Sequence, residues 1–434
     1  MLGSMICFAA GLIGSSQCTT YSALMGCRVL HGFGSGVCEA LPVQLVNDIF
    51  FLHERGSRLG YYTGTHIHAC NTDPYHLTDF LIVCLCLGST GPLYAGYMLA
   101  GGYSWSLFFY VEFAFAMVLL IAAFFIVEET SYDRPTPNLA PTNIAPIDPG
   151  PEKALAAEHH EMDSGNGSGF VDMPARKTLA QQLKPWSHVK KNTGFFQTIW
   201  RSFTYFLVPS VFWVVCTYGI YIGLGALAFN YTFPIKIVAP PYNWSQTNSG
   251  LIAVASAVGY FLAIPFTFTS DRLAAHYTKK NDGIREAEMR LGVLLIPMLV
   301  PPAGLILYGL TAERNLHWFG YFAGVAMTNW GGYFFFTFTL AYAVDSYNAN
   351  TSEMLIAMNL GKQAISFGMG SYLLDWILSD GYATVISGIF CAVLLLNNLA
   401  LIIFMVWGKK IRVATSQSWL GKLHKRTMIV GETH

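Results

Sequence analysis

The chain has 434 residues, of which 53% are hydrophobic and only 12% charged, with 25 basic and 25 acidic side chains in balance. A soluble domain carries roughly 25% charged residues, so these charges cannot cover a water-soluble protein this apolar, and a basic excess that would point to nucleic acid is missing. Nine cysteines sit mostly inside apolar runs without paired spacing, which argues against a disulfide framework.

A bilayer core of about 30 Å takes about 20 apolar residues per helix. Ten such runs follow one another, near 2–15, 22–44, 81–100, 106–127, 204–228, 249–269, 291–310, 317–343, 353–373 and 383–407. Runs this long and non-alternating exclude a barrel of short amphipathic strands. The expected fold is an all-α integral membrane bundle of about ten transmembrane helices, since a helix satisfies every backbone polar group within one segment.

Between the fourth and fifth runs, residues 128–203 hold eight of the 19 prolines, nine acidic residues and the low-complexity stretch 163–169. This composition predicts a disordered cytosolic linker. The chain then divides into an N-terminal half-bundle of four helices (1–127), the linker (128–203), a six-helix bundle (204–408) and a tail (409–434). With the N-terminus in the cytosol, 21 of the 25 basic residues fall on the cytosolic side: two in 45–80, eight in 128–203, five in 270–290 and six after 408. The positive-inside rule therefore puts both termini in the cytosol. Asn243-Trp244-Ser245 faces outside, where an N-glycosylation acceptor could be used.

Three patterns occur in order along the first half. Arg28-Val29-Leu30-His31-Gly32, continued by Gly34 and Gly36, resembles the Arg-x-x-x-Gly motif in the fourth helix of the major facilitator superfamily. Residues 47–56, ending Glu54-Arg55-Gly56, resemble the cytosolic loop that follows it. Gly88, Gly91, Pro92 and Gly96 lie in a segment that resembles the fifth-helix motif associated with antiporters. In the second half, Ser270-Asp271-Arg272 resembles the family's Asp-Arg loop. The subgroup most similar in pattern is the fungal drug:proton antiporter-1 family. That resemblance implies a twelve-helix fold around a midplane cavity, of which this sequence begins at the third helix, so four plus six helices are expected here. It further implies a monomeric, multi-pass plasma-membrane transporter for drugs, polyamines or other organic cations, exchanged against protons by alternating access.

Residues 64–82 interrupt the resemblance as a polar block. His66, His68, Cys70, Asp73 and His76 cluster there, but their spacing matches no structural zinc pattern. The block reads as an aberrant insert, a retained intron, and no metal or cofactor is expected.

Ionisable residues inside the membrane are costly and are therefore functional candidates. Arg28 and Glu39, eleven residues apart, return to one helix face roughly 16 Å apart along the axis. Glu39 is expected near mid-membrane, binding a cationic substrate or the coupling proton, and Arg28 divides between proton coupling and structural pairing. Gly32 and Gly36, between them, are expected to admit a neighbouring backbone. Gly88, Gly91, Pro92 and Gly96 form a bending, close-packing face. Asn359, Lys362 and Ser366 share a face at i, i+3 and i+7, and a buried Lys362 calls for a carboxylate such as Glu39 or Glu112. Asn230, Asn329 and Tyr333 are candidates for the cavity wall, and Asp271-Arg272 for a gate or loop clamp. No phosphate-cradling glycine loop accompanies these residues, which argues against an ATP-driven pump. Two other readings stay open: a truncated, non-transporting member, and an integral-membrane enzyme, whose histidine cluster would have to come from 64–82.

Overall fold

In the computed structural model of the chain, the described residues are 2–49, 91–126, 195–266, 268–281, 286–346, 351–421 and 423. They are helical, and no strand occurs among them. The N-terminal part contributes α1 (Leu2–Gln17), α2 (Tyr21–Ile49), α3 (Gly91–Ala100) and α4 (Ser106–Ile126). The C-terminal part contributes α5 (Phe195–Thr204), α6 (Pro209–Ile220), α7 (Leu227–Val238), α8 (Ile252–Ala263), α9 (Thr269–Lys280), α10 (Val300–Arg314), α11 (Phe319–Ser346), α12 (Thr351–Asp380) and α13 (Cys391–Gln417). Among the described residues, four helical stretches combine the length and the hydropathy of a membrane span: Ser106–Phe125, Pro209–Val238, Ala287–Arg314 and Ala383–Gln417. The expected insert at 64–82, with its histidines, and Gly88 lie outside the described residues.

Two differences from the sequence reading have physical causes. The stretch expected to be linker ends in an ordered helix, α5, which takes in residues 195–203. Its apolar residues recur at 195, 196, 199, 200 and 203, a helical spacing that the prolines and charges upstream obscure. Several spans are also not uniform α-helix. Residues Tyr221–Ala226 and Ala383–Phe390 are wound as π-helix, and Ala287–Leu295 as 3-10 helix. Prolines interrupt the α-helical ladder at further points. Pro302 has no N–H to give the Met298 carbonyl one turn back, and Pro234 leaves the Asn230 carbonyl in the same position.

Packing relies on small residues, as expected where lipid already surrounds apolar surface and close contact must drive helix association. An added Cβ at Gly304 would lie 2.6 Å from the Gly324 carbonyl oxygen, and one at Gly324 would lie 2.7 Å from that of Gly304, so α10 and α11 meet backbone to backbone. Gly259 meets the Ala326 carbonyl in the same way, joining α8 to α11. The largest core lies in the C-terminal part, where Tyr205, Phe233, Tyr308, Tyr321, Phe335, Phe338 and Phe390 are fully enclosed. A smaller one joins α1 to α4 through Ala9, Leu12, Phe109 and Ala116. Phe125, Leu207, Phe212, Leu396 and Val406 point outward instead, the distribution of a protein whose outer solvent is hydrocarbon.

Candidate functional site

Four helices set the geometry of the expected site. α2, with Arg28 and Glu39, packs directly against α12, with Asn359, Lys362 and Ser366. α12 in turn packs against α6, the π-helical turn 221–226 and α7. Glycines allow this: Gly219 and Gly223 of α6 and the π turn receive Ile365 and Met369, while Gly361 receives Val215 and Phe206. The ion-bearing helices of the two halves are therefore neighbours.

Lys362 is buried, at 7% exposure. One turn on, the Ser366 hydroxyl is buried with no hydrogen-bond partner among the described residues. Asn359 is half-buried and Asn230 exposed. Glu39 lies on α2, but its side chain is outside the described set. Glu112, half-buried on α4, stands in the same helix as Phe109, whose ring lies 4.8 Å beneath the Arg28 guanidinium carbon. Arg28 thus makes a cation–π contact on the α4 side of α2. Among the described residues, close approaches between α1 and α2 occur at glycines other than Gly32 and Gly36. Nothing among the described residues lies within 4 Å of a Cβ added at either, whereas Gly34 meets the Ser4 carbonyl (2.6 Å) and Gly11 the His31 backbone (2.5 Å). The spacing of small residues was legible, but not which of three glycines on adjoining faces meets α1.

Two residues expected on the cavity wall make contacts at a helix interface. Asn329 donates to the Ser256 hydroxyl (3.0 Å) and accepts from the Tyr260 hydroxyl (3.1 Å), tying α11 to α8. Tyr333 is fully buried beside Tyr260. Of the antiporter-type segment, Gly91 and Pro92 open α3, and Gly96 meets the main chain of 246–251, where an added Cβ would lie 3.1 Å from the Thr247 carbonyl oxygen.

Asp271 joins a group of residues that sequence reading left unassigned. Arg290 is only 1% exposed; its Nη1 donates to Asp271 Oδ1 (3.0 Å) and its Nε lies 2.6 Å from Asp345 Oδ2. Arg272 is exposed, and the clamp partner of Asp271 is Arg290. Close by, Arg412 forks onto both oxygens of Glu288 (2.8 and 2.6 Å), and Lys409 pairs with Glu286 (2.5 Å). Arg201 of α5 lies 3.8 Å from Glu353 at the start of α12. All these pairs gather at the end of the bundle that the charge count assigns to the cytosol. Arg290 was counted there as a loop residue. The signal that could have found it is the acid-x-acid-x-base run Glu286, Glu288, Arg290 at the entry to an apolar span.

Interior polar groups serve helix breaks and junctions. Asn398 Nδ2 donates to the Met298 carbonyl (2.9 Å), the one Pro302 leaves unbonded. Its neighbour Asn397 donates to Thr217 (3.0 Å) and accepts at its carbonyl from Trp213 Nε1 (3.1 Å). At the opposite end of the bundle, Glu313 Oε2 accepts from the backbone N–H of Tyr382 (2.8 Å) and Ala383 (3.3 Å), capping the π segment. Lys236 Nζ stands 4.4 Å over the Tyr382 ring. Among the described residues, no group of three or more His, Cys, Asp or Glu could hold a metal ion.

Comparison with known proteins adds four findings. A profile described as Major Facilitator Superfamily matches residues 1–371. An uncharacterised MFS-type transporter of Schizosaccharomyces pombe is 23% identical, covering 98% of this chain and 75% of that protein. A probable drug/proton antiporter of Saccharomyces cerevisiae is 28% identical over a shorter region, 34% of this chain and 28% of that protein. Among solved structures, the MFS proton:xylose symporter XylE, bound to 6-bromo-6-deoxy-D-glucose, superimposes with a TM-score of 0.53 at 13% identity, over 93% of this chain and 78% of that one.

Proposed function

The chain belongs to the major facilitator superfamily, and on that premise we propose that it is a proton-coupled antiporter of an organic cation, drug-like or polyamine, working by alternating access. Secondary transport of small solutes is the common activity of this family, and the fold is that of the proton:xylose symporter. The finer reading rests on one observation: α2, bearing Arg28 and Glu39, lies against α12, bearing the buried Lys362. A carboxylate and an ammonium carried on facing helices of the two halves form a site where proton and cation compete. Protonating Glu39 releases the cation, and Lys362 lowers the affinity for either when it swings close. The partial likeness to a drug/proton antiporter supports the exchange direction. The Asp271–Arg290–Asp345 cluster holds one end of the C-terminal bundle together, as a gate-side clamp.

The test is uptake by the purified chain in proteoliposomes, using labelled spermidine and a fluorescent aromatic cation, with and without an imposed proton gradient. Gradient-driven accumulation of either, lost in Glu39→Gln and in Lys362→Gln, is the expected result. Equal flux with and without the gradient refutes proton coupling. No flux for either probe by a folded protein refutes the cation assignment.

A further inference from the structure

Nothing in the transport reading uses the two cysteines at the turn between α1 and α2. Cys18 directly follows α1, and Cys27 lies six residues into α2, about 9 Å from its start. The antiparallel hairpin brings their sulfurs to 3.6 Å. Gly14 makes the space: a Cβ added there would lie 2.7 Å from Cys27 Sγ, and the Cys18 thiol donates to the Gly14 carbonyl at 3.1 Å. Both sulfurs therefore occupy one slot above a residue without a side chain. The register is held from below by the contacts of Gly11 with the His31 backbone and of Gly34 with Ser4. Both residues are only half-buried, so a small reagent can reach them. Cys7, on α1 eleven residues before Cys18, is about 16 Å away along the axis. Cys391 belongs to the C-terminal core and Cys216 is half-buried on α6.

We propose that Cys18 and Cys27 form a thiol pair that closes into an intramolecular disulfide, stapling α1 to α2 on the side the charge count assigns to the exterior. A disulfide needs its sulfurs at about 2.05 Å, so rotation of the two side chains and a small approach complete it. The oxidant is a low-molecular-weight disulfide of the oxidised-glutathione class. One cysteine thiolate attacks it, forming a mixed disulfide and releasing one small thiol. The second cysteine thiolate then attacks the protein-bound sulfur and releases the other. Two protein thiols lose two protons and two electrons, and the small disulfide is reduced to two thiols. Because Arg28 follows Cys27 directly, the closed staple fixes the backbone that carries the guanidinium over Phe109.

The exterior location rests on the orientation reading, and the experiment separates the two. Membranes holding the full chain are treated with oxidised glutathione, alkylated with N-ethylmaleimide, digested with chymotrypsin without reductant and read by mass spectrometry. Cleavage at Tyr21 divides the two cysteines, so the staple is seen as a linked peptide pair that dithiothreitol separates. The link is expected in the parent and in Cys7→Ser, and is expected to vanish in Cys18→Ser. Full alkylation of both Cys18 and Cys27 after oxidation, in protein that elutes as folded, overturns the pair. In intact cells, a membrane-impermeant maleimide should block the reduced pair. If the link forms but that reagent fails to reach it, the exterior location is overturned and the thiol pair stands.

Discussion

Replacing Arg290 by Met should destabilise the C-terminal bundle more than any neutralisation at its rim. The change removes the cation that contacts both Asp271 and Asp345, whose side chains are only 13% and 8% exposed. Breaking a buried ion pair costs about 3–5 kcal/mol, because the surviving charge loses its compensation. A domain of this size moves its melting temperature by about 2–4 °C per kcal/mol, so a fall of roughly 6–20 °C is expected. The assay is thermal unfolding of purified protein in detergent, followed by fluorescence-detected size exclusion. The triple variant Arg290→Met, Asp271→Asn, Asp345→Asn removes the charges together and should recover most of the loss, since neutral replacement of a buried ionic group is often harmless. Lys409→Met, by contrast, breaks a pair whose lysine is 69% exposed and should shift unfolding by little. A melting temperature for Arg290→Met indistinguishable from the parent, or no recovery in the triple variant, would refute the reasoning.

Asn398→Leu keeps much of the side-chain volume but removes the donor to the Met298 carbonyl. It should cost about 1–3 kcal/mol, read in the same unfolding assay, whereas Asn398→Gln should lose less if its longer amide still reaches. The α5 helix turns its apolar face outward, with Trp200 67% and Phe203 50% exposed, while Ser202 and Thr204 face inward. A spin label placed by Trp200→Cys in nanodiscs should therefore collide more with dissolved oxygen than with a water-soluble nickel chelate. The opposite ratio would remove α5 from the bilayer surface.

The sequence carried the helical class, the family and the crowding of basic residues into a few segments, because length, hydropathy and the Arg28–Gly32 and Gly88–Gly96 patterns are local. Long-range pairing was not legible. Asp271 and Arg290 are separated by 19 positions and Arg290 and Asp345 by far more; Asp271 was expected to act with Arg272 as a gate or loop clamp, and neither hydropathy nor spacing reveals which loops converge to bring Arg290 and Asp345 to it. The hydrogen-bond partners of Asn329, Ser256 and Tyr260, lie on another helix and were equally out of reach of sequence reading. The proximity of two cysteines was hidden for the same reason. A gap of nine residues carries no disulfide signature, and only the hairpin sets Cys18 against Cys27.

The contact of Gly96 with the Thr247 carbonyl has a mechanical meaning. Side chains that interlock give an interface discrete notches, and sliding past them means unseating one knob before seating the next. Where a bare helix backbone rests on another backbone, the surface is smooth on the scale of a methyl group. At such a contact the size of one residue sets the spacing: an alanine at 96 would place its methyl 3.1 Å from the Thr247 carbonyl oxygen, and the turn at 246–251 would have to give way.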